Sequence, residues 1–184
     1  MIDKASPPVI ESVPAEEAQN VLPELIALLH DSVASEASIG FLPPLRDEEA
    51  RQFWSDNFQE VARGARVILV AREAGHVVGS VQLALAMKPN ALHRAEVQKL
   101  LVLRSQRRRG IGQALMQAVE QAALERKRTL LVLDTRQGDN AERLYRKLGY
   151  QEAGVIPAYA RNAEGTLDAT VLFYKELALA EHTL

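Results

Sequence analysis

The sequence predicts an α/β fold in which a sheet of mixed strand direction is flanked by helices. Three observations carry this. Runs rich in Val, Ile and Leu that read as strands (66–72, RVILVAR; 77–86; 95–103, AEVQKLLVL; 130–134, LLVLD) stand among segments whose apolar residues recur at helical spacing. The turn-like stretch 73–76 (EAGH) joins the first two of these strands as a hairpin, so part of the sheet is antiparallel. From residue 95 onward the order is strand, helix, strand, helix, strand, so the pattern is not the full alternation of a doubly wound fold.

The remaining elements follow in order. Residues 9–13 read as a short first strand after Pro7-Pro8. Val21, Leu22, Leu25, Ile26, Leu28, Leu29 and Val33 form an apolar helical stripe, and Pro23 suits a first turn, so the helix is expected to start near it. Residues 38–45 (SIGFLPPL) read as a loop because Pro43-Pro44 disfavours helix. A second helix starts near Asp47, turns Phe53, Trp54, Phe58 and Val61 inward and ends near Gly64. Ile111, Leu115, Ala118, Val119 and Ala122 mark a helix over 110–126. Residues 140–148 form a short helix closed by Gly149. Residues 150–155 and 170–177 supply two last strands, joined by a loop containing Pro157 and Gly165.

Composition narrows the function. A chain of 184 residues fits one domain, read as 1–184, with 47% hydrophobic and 25% charged residues, ordinary values for a globular protein. Lys+Arg 22 against Asp+Glu 24 gives a net charge of -2, so overall charge draws neither nucleic acid nor anionic lipid. Cys is 0, which excludes disulfides, thiolate zinc sites and cysteine nucleophiles. His30, His76, His93 and His182 lack metal-ligand spacing, so no metal is expected. The longest uncharged apolar stretch, 77–87, is about half the ~20 residues of a membrane span, and the N-terminus shows no apolar signal region. A cytoplasmic location without membrane or nucleic-acid partners is the resulting expectation.

The most informative segment is 102–113 (VLRSQRRRGIGQ). A strand ends, Arg104, Arg107, Arg108 and Arg109 follow, and Gly110 and Gly112 open a helix. A helix start carries unsatisfied N–H groups and partial positive charge, glycines let an anion approach the backbone, and arginines add attraction. This reads as a pyrophosphate cradle, with a solvated arginine face as the alternative. It is neither a P-loop nor a dinucleotide fingerprint, because the lysine of the first and the third glycine of the second are absent.

Residues 107–112 (RRRGIG) match the R/Q-x-x-G-x-G/A signature of the GNAT superfamily of acetyl-CoA-dependent N-acyltransferases, and residues 141–150 (AERLYRKLGY) resemble its second motif, A-x-x-L-Y-x-x-x-G-[FY]. The likeness covers about 65–177. A closer resemblance, to tabtoxin-resistance acetyltransferases, rests on 88–103 (KPNALHRAEVQKLLVL), 130–135 (LLVLDT), Leu144-Tyr145 and 173–177 (FYKEL), and extends upstream through 36–41 (EASIGF). Two positions depart from the superfamily: Arg104 stands where Pro is common after the central strand, and Gly138 where Asn often precedes the second motif.

The resemblance implies a mostly antiparallel sheet of about six or seven strands with about four helices, acetyl-CoA as cosubstrate, and a cofactor-binding half over about 65–155. It implies that Leu101, Val102, Leu103, Arg107, Arg108, Arg109, Gly110, Ile111, Gly112, Gln113 and Tyr145 hold the cofactor, and that Ser38 and Phe41 touch the substrate.

The chemistry of acetyl transfer asks for more. An amine with a lysine-like pKa is neutral in only ~1 of 2,500 molecules at pH 7, so a base must take a proton. Glu96 in the central strand matches the resemblance for that role; its alternative is a structural salt bridge. Strand alternation puts Glu96, Gln98, Leu100 and Val102 on one face. Asp134 ends an apolar strand, where it polarises water with Glu96, binds the substrate ammonium, or caps a turn. Tyr145 is the implied acid for the departing thiolate. An oxyanion donor would be a backbone N–H near Leu101 or Val102, which requires a break in strand pairing such as a bulge. The expected activity is N-acetylation of a small-molecule amine, an amino-acid-like toxin or antibiotic. Peptide or protein acetylation, a non-catalytic acyl-CoA-binding module and a nucleic-acid-binding domain are the alternatives.

Overall fold

A computed structural model describes residues 8–178; His182 lies outside the described residues. Its strands are β1 (Val9–Ser12), β2 (Arg66–Glu73), β3 (His76–Leu85), β4 (Arg94–Val102), β5 (Leu130–Arg136), β6 (Gln151–Arg161) and β7 (Leu167–Glu176). They form one sheet in the order β1-β2-β3-β4-β5-β7-β6. Every neighbouring pair is antiparallel except β4 with β5. The helices are α1 (Ala18–Ala34), α2 (Asp47–Ala62), α3 (Ile111–Glu125) and α4 (Asn140–Lys147). The mixed, mostly antiparallel sheet with four helices is the architecture that the sequence and the resemblance predict. Among the described residues no helix is long and apolar enough to cross a membrane.

Two apolar layers explain why β2 is hydrophobic at successive positions. Val67, Leu69 and Ala71 pack under α3, while Ile68 and Val70 pack against α1 and α2. A strand buried on both faces carries no polar alternation. Trp54 is fully buried in the second layer and its indole N–H donates to the Leu25 carbonyl at 3.0 Å; Trp54 and Phe58 are core, as the sequence reading weighs them.

Three expectations need correction. α1 begins at Ala18, so Pro23 sits inside the helix and not in its first turn. A 3-10 turn at Ala15–Glu17 leads directly into it, and burial of Val21 and Leu22 offsets the hydrogen bond that proline cannot donate. The last hairpin is longer than expected, β6 running to Arg161 and β7 starting at Leu167. Pro157 is tolerated because β6 is an edge strand whose register shifts between Ile156 and Ala160.

The third correction bears on the site. β3 and β4 pair from Leu85–Ala95 to Gln82–Gln98, then resume at Ser80–Leu101. Val81 therefore faces two residues of β4, Lys99 and Leu100, and Lys99 adopts a left-handed φ of 50°. The extra residue inverts the alternation. Ala95 and Val97 face α3 before the bulge, whereas Leu101 faces α1 and α2 after it, with Leu100 and Val102 on the α3 side. Glu96 and Gln98 thus do not share a face with Leu100 and Val102.

Candidate active site

The parallel pairing of β4 with β5 covers only Arg94–Leu130, Ala95–Leu131 and Glu96–Val132. Beyond Glu96 the two strands part, and the β5-facing edge of β4 is unpaired up to Val102. The slot opens where the bulge re-aims the backbone of residues 99–101, which is the break in pairing that an oxyanion donor there requires. Of the three residues after it, Leu103 has its N–H engaged by the Val78 carbonyl at 3.0 Å, and the Val102 carbonyl accepts from Arg107 Nε at 3.0 Å.

At the end of the slot the chain turns into α3. Arg108 (φ 63°) and Gly110 (φ 84°) both lie in the left-handed region, and the first helical bond is Ala114 N–H to the Gly110 carbonyl at 3.0 Å. Among the described residues the N–H groups of 108–113 find no acceptor within the protein. Successive unpaired N–H groups at a helix start form an anion site. A Cβ on Gly110 would meet nothing within 4 Å, so the αL backbone, not crowding, calls for glycine there.

The arginines divide. Arg104 is held by Asp31 of α1 through Nε and its backbone N–H, both at 2.9 Å. Arg107 donates to Ser35 Oγ at 2.8 Å, and Arg109 pairs with Glu73 at 2.7 and 2.9 Å and also contacts Gln106. These three tie the turn to α1 and β2. Arg108 is exposed and has no side-chain partner among the described residues. The cradle expected from the sequence is therefore mainly backbone, with Arg108 as its unpaired guanidinium. Gln113 is engaged by Lys147 at 3.0 Å.

Glu96 is half-buried on the face that α1 and α2 cover. Gln98 Nε2 donates to its Oε1 at 2.8 Å, Gln98 Oε1 accepts from Arg66 at 2.9 Å, and Arg66 also donates to Gln82 at 2.7 Å and to Glu60 at 2.6 Å. The other Glu96 oxygen has no partner among the described residues, and the fully buried Gln82 leaves its amide nitrogen unpaired. Leu131 and Leu133 face α3, so Asp134 lies with Val132 on Glu96's side of the sheet. Its Oδ2 is 2.8 Å from Thr170 Oγ1.

Tyr145 sits on the opposite face. Its ring is buried against Tyr150 and Phe173, each with centroids 5.9 Å away. Burial first, then Asp139 and Asp134, push its hydroxyl pKa above the ordinary tyrosine range, so it stays a neutral donor. α4 is placed by Asp139, whose carboxylate accepts from Ala141 N–H at 3.3 Å, and by Glu142, which accepts from Gly138 N–H and pairs with Arg146. The Glu142 carboxyl is held below its ordinary pKa by Arg146 and then by Gly138 N–H.

Ser38 and Phe41 line a cleft of about 250 Å³ between the α1–α2 loop and the β6–β7 hairpin, with Arg136, Arg161 and Asn162 opposite. Sequence reasoning missed the polar chain of Arg66, Gln82 and Gln98, and also Lys99. Its signal is a glutamine or lysine inside an apolar central strand, a position that demands a partner.

Residues 29–150 match the model of the acetyltransferase (GNAT) family. The L-methionine sulfoximine/L-methionine sulfone acetyltransferase of Pseudomonas paraeruginosa is 30% identical over 154 residues, 82% of this chain and 87% of that protein. The protein of the same name from Pseudomonas aeruginosa is 27% identical over 153 residues, with the same coverage. An N-acetyltransferase from Staphylococcus aureus Mu50 superposes with a TM-score of 0.78 at 20% identity, covering 94% of this chain and all of that one. The yncA protein of Salmonella typhimurium, solved with its cofactor acetyl-CoA, superposes with a TM-score of 0.75 at 15% identity, covering 97% and 98%. The family signature covers the β4–α3 turn and the β5–α4 segment that build the slot, and the chain belongs to the GNAT acetyltransferase family as an N-acetyltransferase.

Proposed function

We propose that the protein transfers the acetyl group of acetyl-CoA to the primary amine of a small amino-acid-like molecule. The observation that carries this is the β4–β5 slot, which runs into six unpaired N–H groups at the start of α3 and is flanked by Glu96 on one face and Tyr145 on the other. The curated relatives, named for acting on methionine derivatives, support the acceptor class.

Bound acetyl-CoA supplies an activated acyl group as a thioester. The chain's own part is to hold and move charge. The N–H groups of 108–113 and Arg108 take the pyrophosphate, and a backbone N–H just past the bulge, near Leu101 or Val102, stabilises charge developing on the acyl oxygen. Glu96, kept in one rotamer by Gln98, takes the proton of the acceptor amine through its free oxygen, directly or by way of water, and Asp134 on the same face draws the ammonium in. Tyr145, neutral because it is buried, gives a proton to the leaving sulfur from the other face. Base and acid on opposite sides of the sheet suit attack on one side and departure on the other. Ser38 and Phe41 bound the acceptor.

CoA thiol release across a panel of amines and amino-acid-like compounds, with the N-acetyl product identified by mass, tests this reading. Release that depends on an amino acid analogue supports it; acetyl-CoA binding without release on any amine contradicts it.

A further inference from the structure

Lys99 stands at the bulge in a left-handed backbone conformation, and its side chain extends toward α2 and the α1–α2 loop. Its Nζ lies 6.0 Å from the Phe53 ring centroid and would be 3.7 Å from a Cβ on Gly40. Gly40 lines the cleft that holds Ser38 and Phe41, and Lys99 itself lines a second pocket of about 230 Å³ with Phe53, Asn57, Arg66 and Gln98, whose rim carries Asp56 and Glu60, so the ammonium stands between the two. The ammonium is half-buried, yet among the described residues it makes neither a hydrogen bond nor an ion pair.

The surrounding cations differ. Arg66 has Glu60, Gln82 and Gln98; Arg136 has Asp139 and Asp168 at 4.0 and 3.6 Å; Arg161 donates to the Gly165 carbonyl. An ammonium withdrawn from water without a partner is costly. A ligand group that is anionic and small enough to reach it repays that cost. Desolvation lowers the Lys99 pKa, Asp134 and Glu96 oppose that shift, and Arg66 adds to it. Lys99 therefore senses two carboxylates and one guanidinium, and none of these bonds it directly.

We propose that Lys99 binds the carboxylate of the acceptor and thereby restricts the acceptor to free α-amino acids. The proposal rests on the acetyltransferase reading above. An α-amino acid carries ammonium and carboxylate on one carbon. With its carboxylate on Lys99, its nitrogen is presented to the side of the sheet that holds Glu96 and Asp134. The charge pattern of the site, Lys99 with Arg66 behind it on one side and the Glu96 and Asp134 carboxylates on the other, is the complement of a zwitterion. A peptide N-terminus or a lysine side chain lacks a carboxylate at that position and would leave Lys99 unpaired. This separates a free amino acid from the protein acceptors considered earlier.

The experiment compares L-methionine sulfone with its carboxamide, by turnover and by calorimetric binding to the CoA-loaded protein. The parent is expected to favour the carboxylate by roughly 10- to 100-fold, the range of one charge-assisted hydrogen bond in a desolvated site. In Lys99→Met that ratio should fall to within a few-fold of one, and Lys99→Arg should restore part of it. Thermal unfolding confirms that each variant is folded. An equal preference in the parent, or an unchanged ratio in Lys99→Met, overturns the proposal. If no acceptor is acetylated at all, the acetyltransferase reading fails separately, and the binding ratio still decides whether Lys99 reads a carboxylate.

Discussion

The side chain of Gln98 orients the Glu96 carboxylate: its amide nitrogen donates to Oε1 at 2.8 Å, two residues along the same strand and on the same face. Arg66 fixes the amide from the other end, so the Glu96 carboxylate is held in a single orientation with one oxygen free. Gln98→Leu removes the donor but leaves Arg66 bound to Gln82 and Glu60. Turnover is expected to fall by roughly 10-fold through loss of positioning, with acetyl-CoA affinity retained. Steady-state kinetics alongside acetyl-CoA binding check this; an unchanged kcat would mean that Glu96 needs no orientation.

Gly79 couples the core to the slot. It pairs with Val102, and a Cβ there would lie 2.8 Å from the Leu101 carbonyl and 3.1 Å from Leu115. The first contact is backbone and cannot swing aside. Gly79→Ala should destabilise the fold by about 1–3 kcal/mol and move the bulge. Urea denaturation measures the loss, and a stability equal to that of the parent would mean that β3 and α3 can separate freely.

The cradle makes a contrasting demand. A Cβ on Gly112 meets only the Leu144 side chain at 3.5 Å and Val102 at 4.0 Å, ordinary contacts, and an acidic residue suits the first turn of α3. Gly112→Asp should therefore fold normally yet lose the thermal stabilisation that acetyl-CoA gives the parent, because it places like charge at the pyrophosphate. Arg108→Ala should weaken binding by a smaller factor, most visibly at low salt. Undiminished stabilisation of Gly112→Asp by acetyl-CoA would place the cradle elsewhere.

Much of this was legible in the residues, and the gaps have physical causes. Residues 130–133 are a short continuous apolar run and α3 repeats at helical spacing from Ile111 to Ala122, so the apolar pattern alone locates both elements. Gly110 and Gly149 mark helix boundaries because each adopts positive φ. The bulge is different. Lys99 takes φ 50° without being glycine, and no local pattern announces that choice; it follows from fitting β4 between β3 and a diverging β5. Plain alternation from Glu96 therefore puts Leu100 and Val102 on the wrong face. The arginine run was legible as a cluster, but Asp31, Ser35 and Glu73, which engage Arg104, Arg107 and Arg109, come from distant segments that only the tertiary fold brings near.

Tyr145 links chemistry to alkaline stability. Its pKa is raised chiefly by burial, and that of Tyr150 is raised by burial and then by Glu120. Below about pH 10 both groups keep their protons in folded and unfolded chains alike. Above it the unfolded chain ionises first, so stability falls as pH rises. Tyr145→Phe should flatten that fall above about pH 10, seen as urea midpoints that converge with those of the parent. The same variant should slow single-turnover acetyl transfer by roughly 10- to 1,000-fold while acetyl-CoA affinity holds. A normal single-turnover rate would leave Tyr145 with a packing role only.

The central claim, that Glu96 deprotonates an amine acceptor, meets its most direct test in the pH dependence of kcat/KM for Glu96→Gln against the parent. The glutamine preserves shape, and the fold and acetyl-CoA affinity should persist. The account predicts a loss of ~10²–10⁴-fold where the acceptor is mostly protonated, shrinking as pH rises and the free amine becomes abundant. A pH–rate profile in Glu96→Gln that coincides with that of the parent would contradict it.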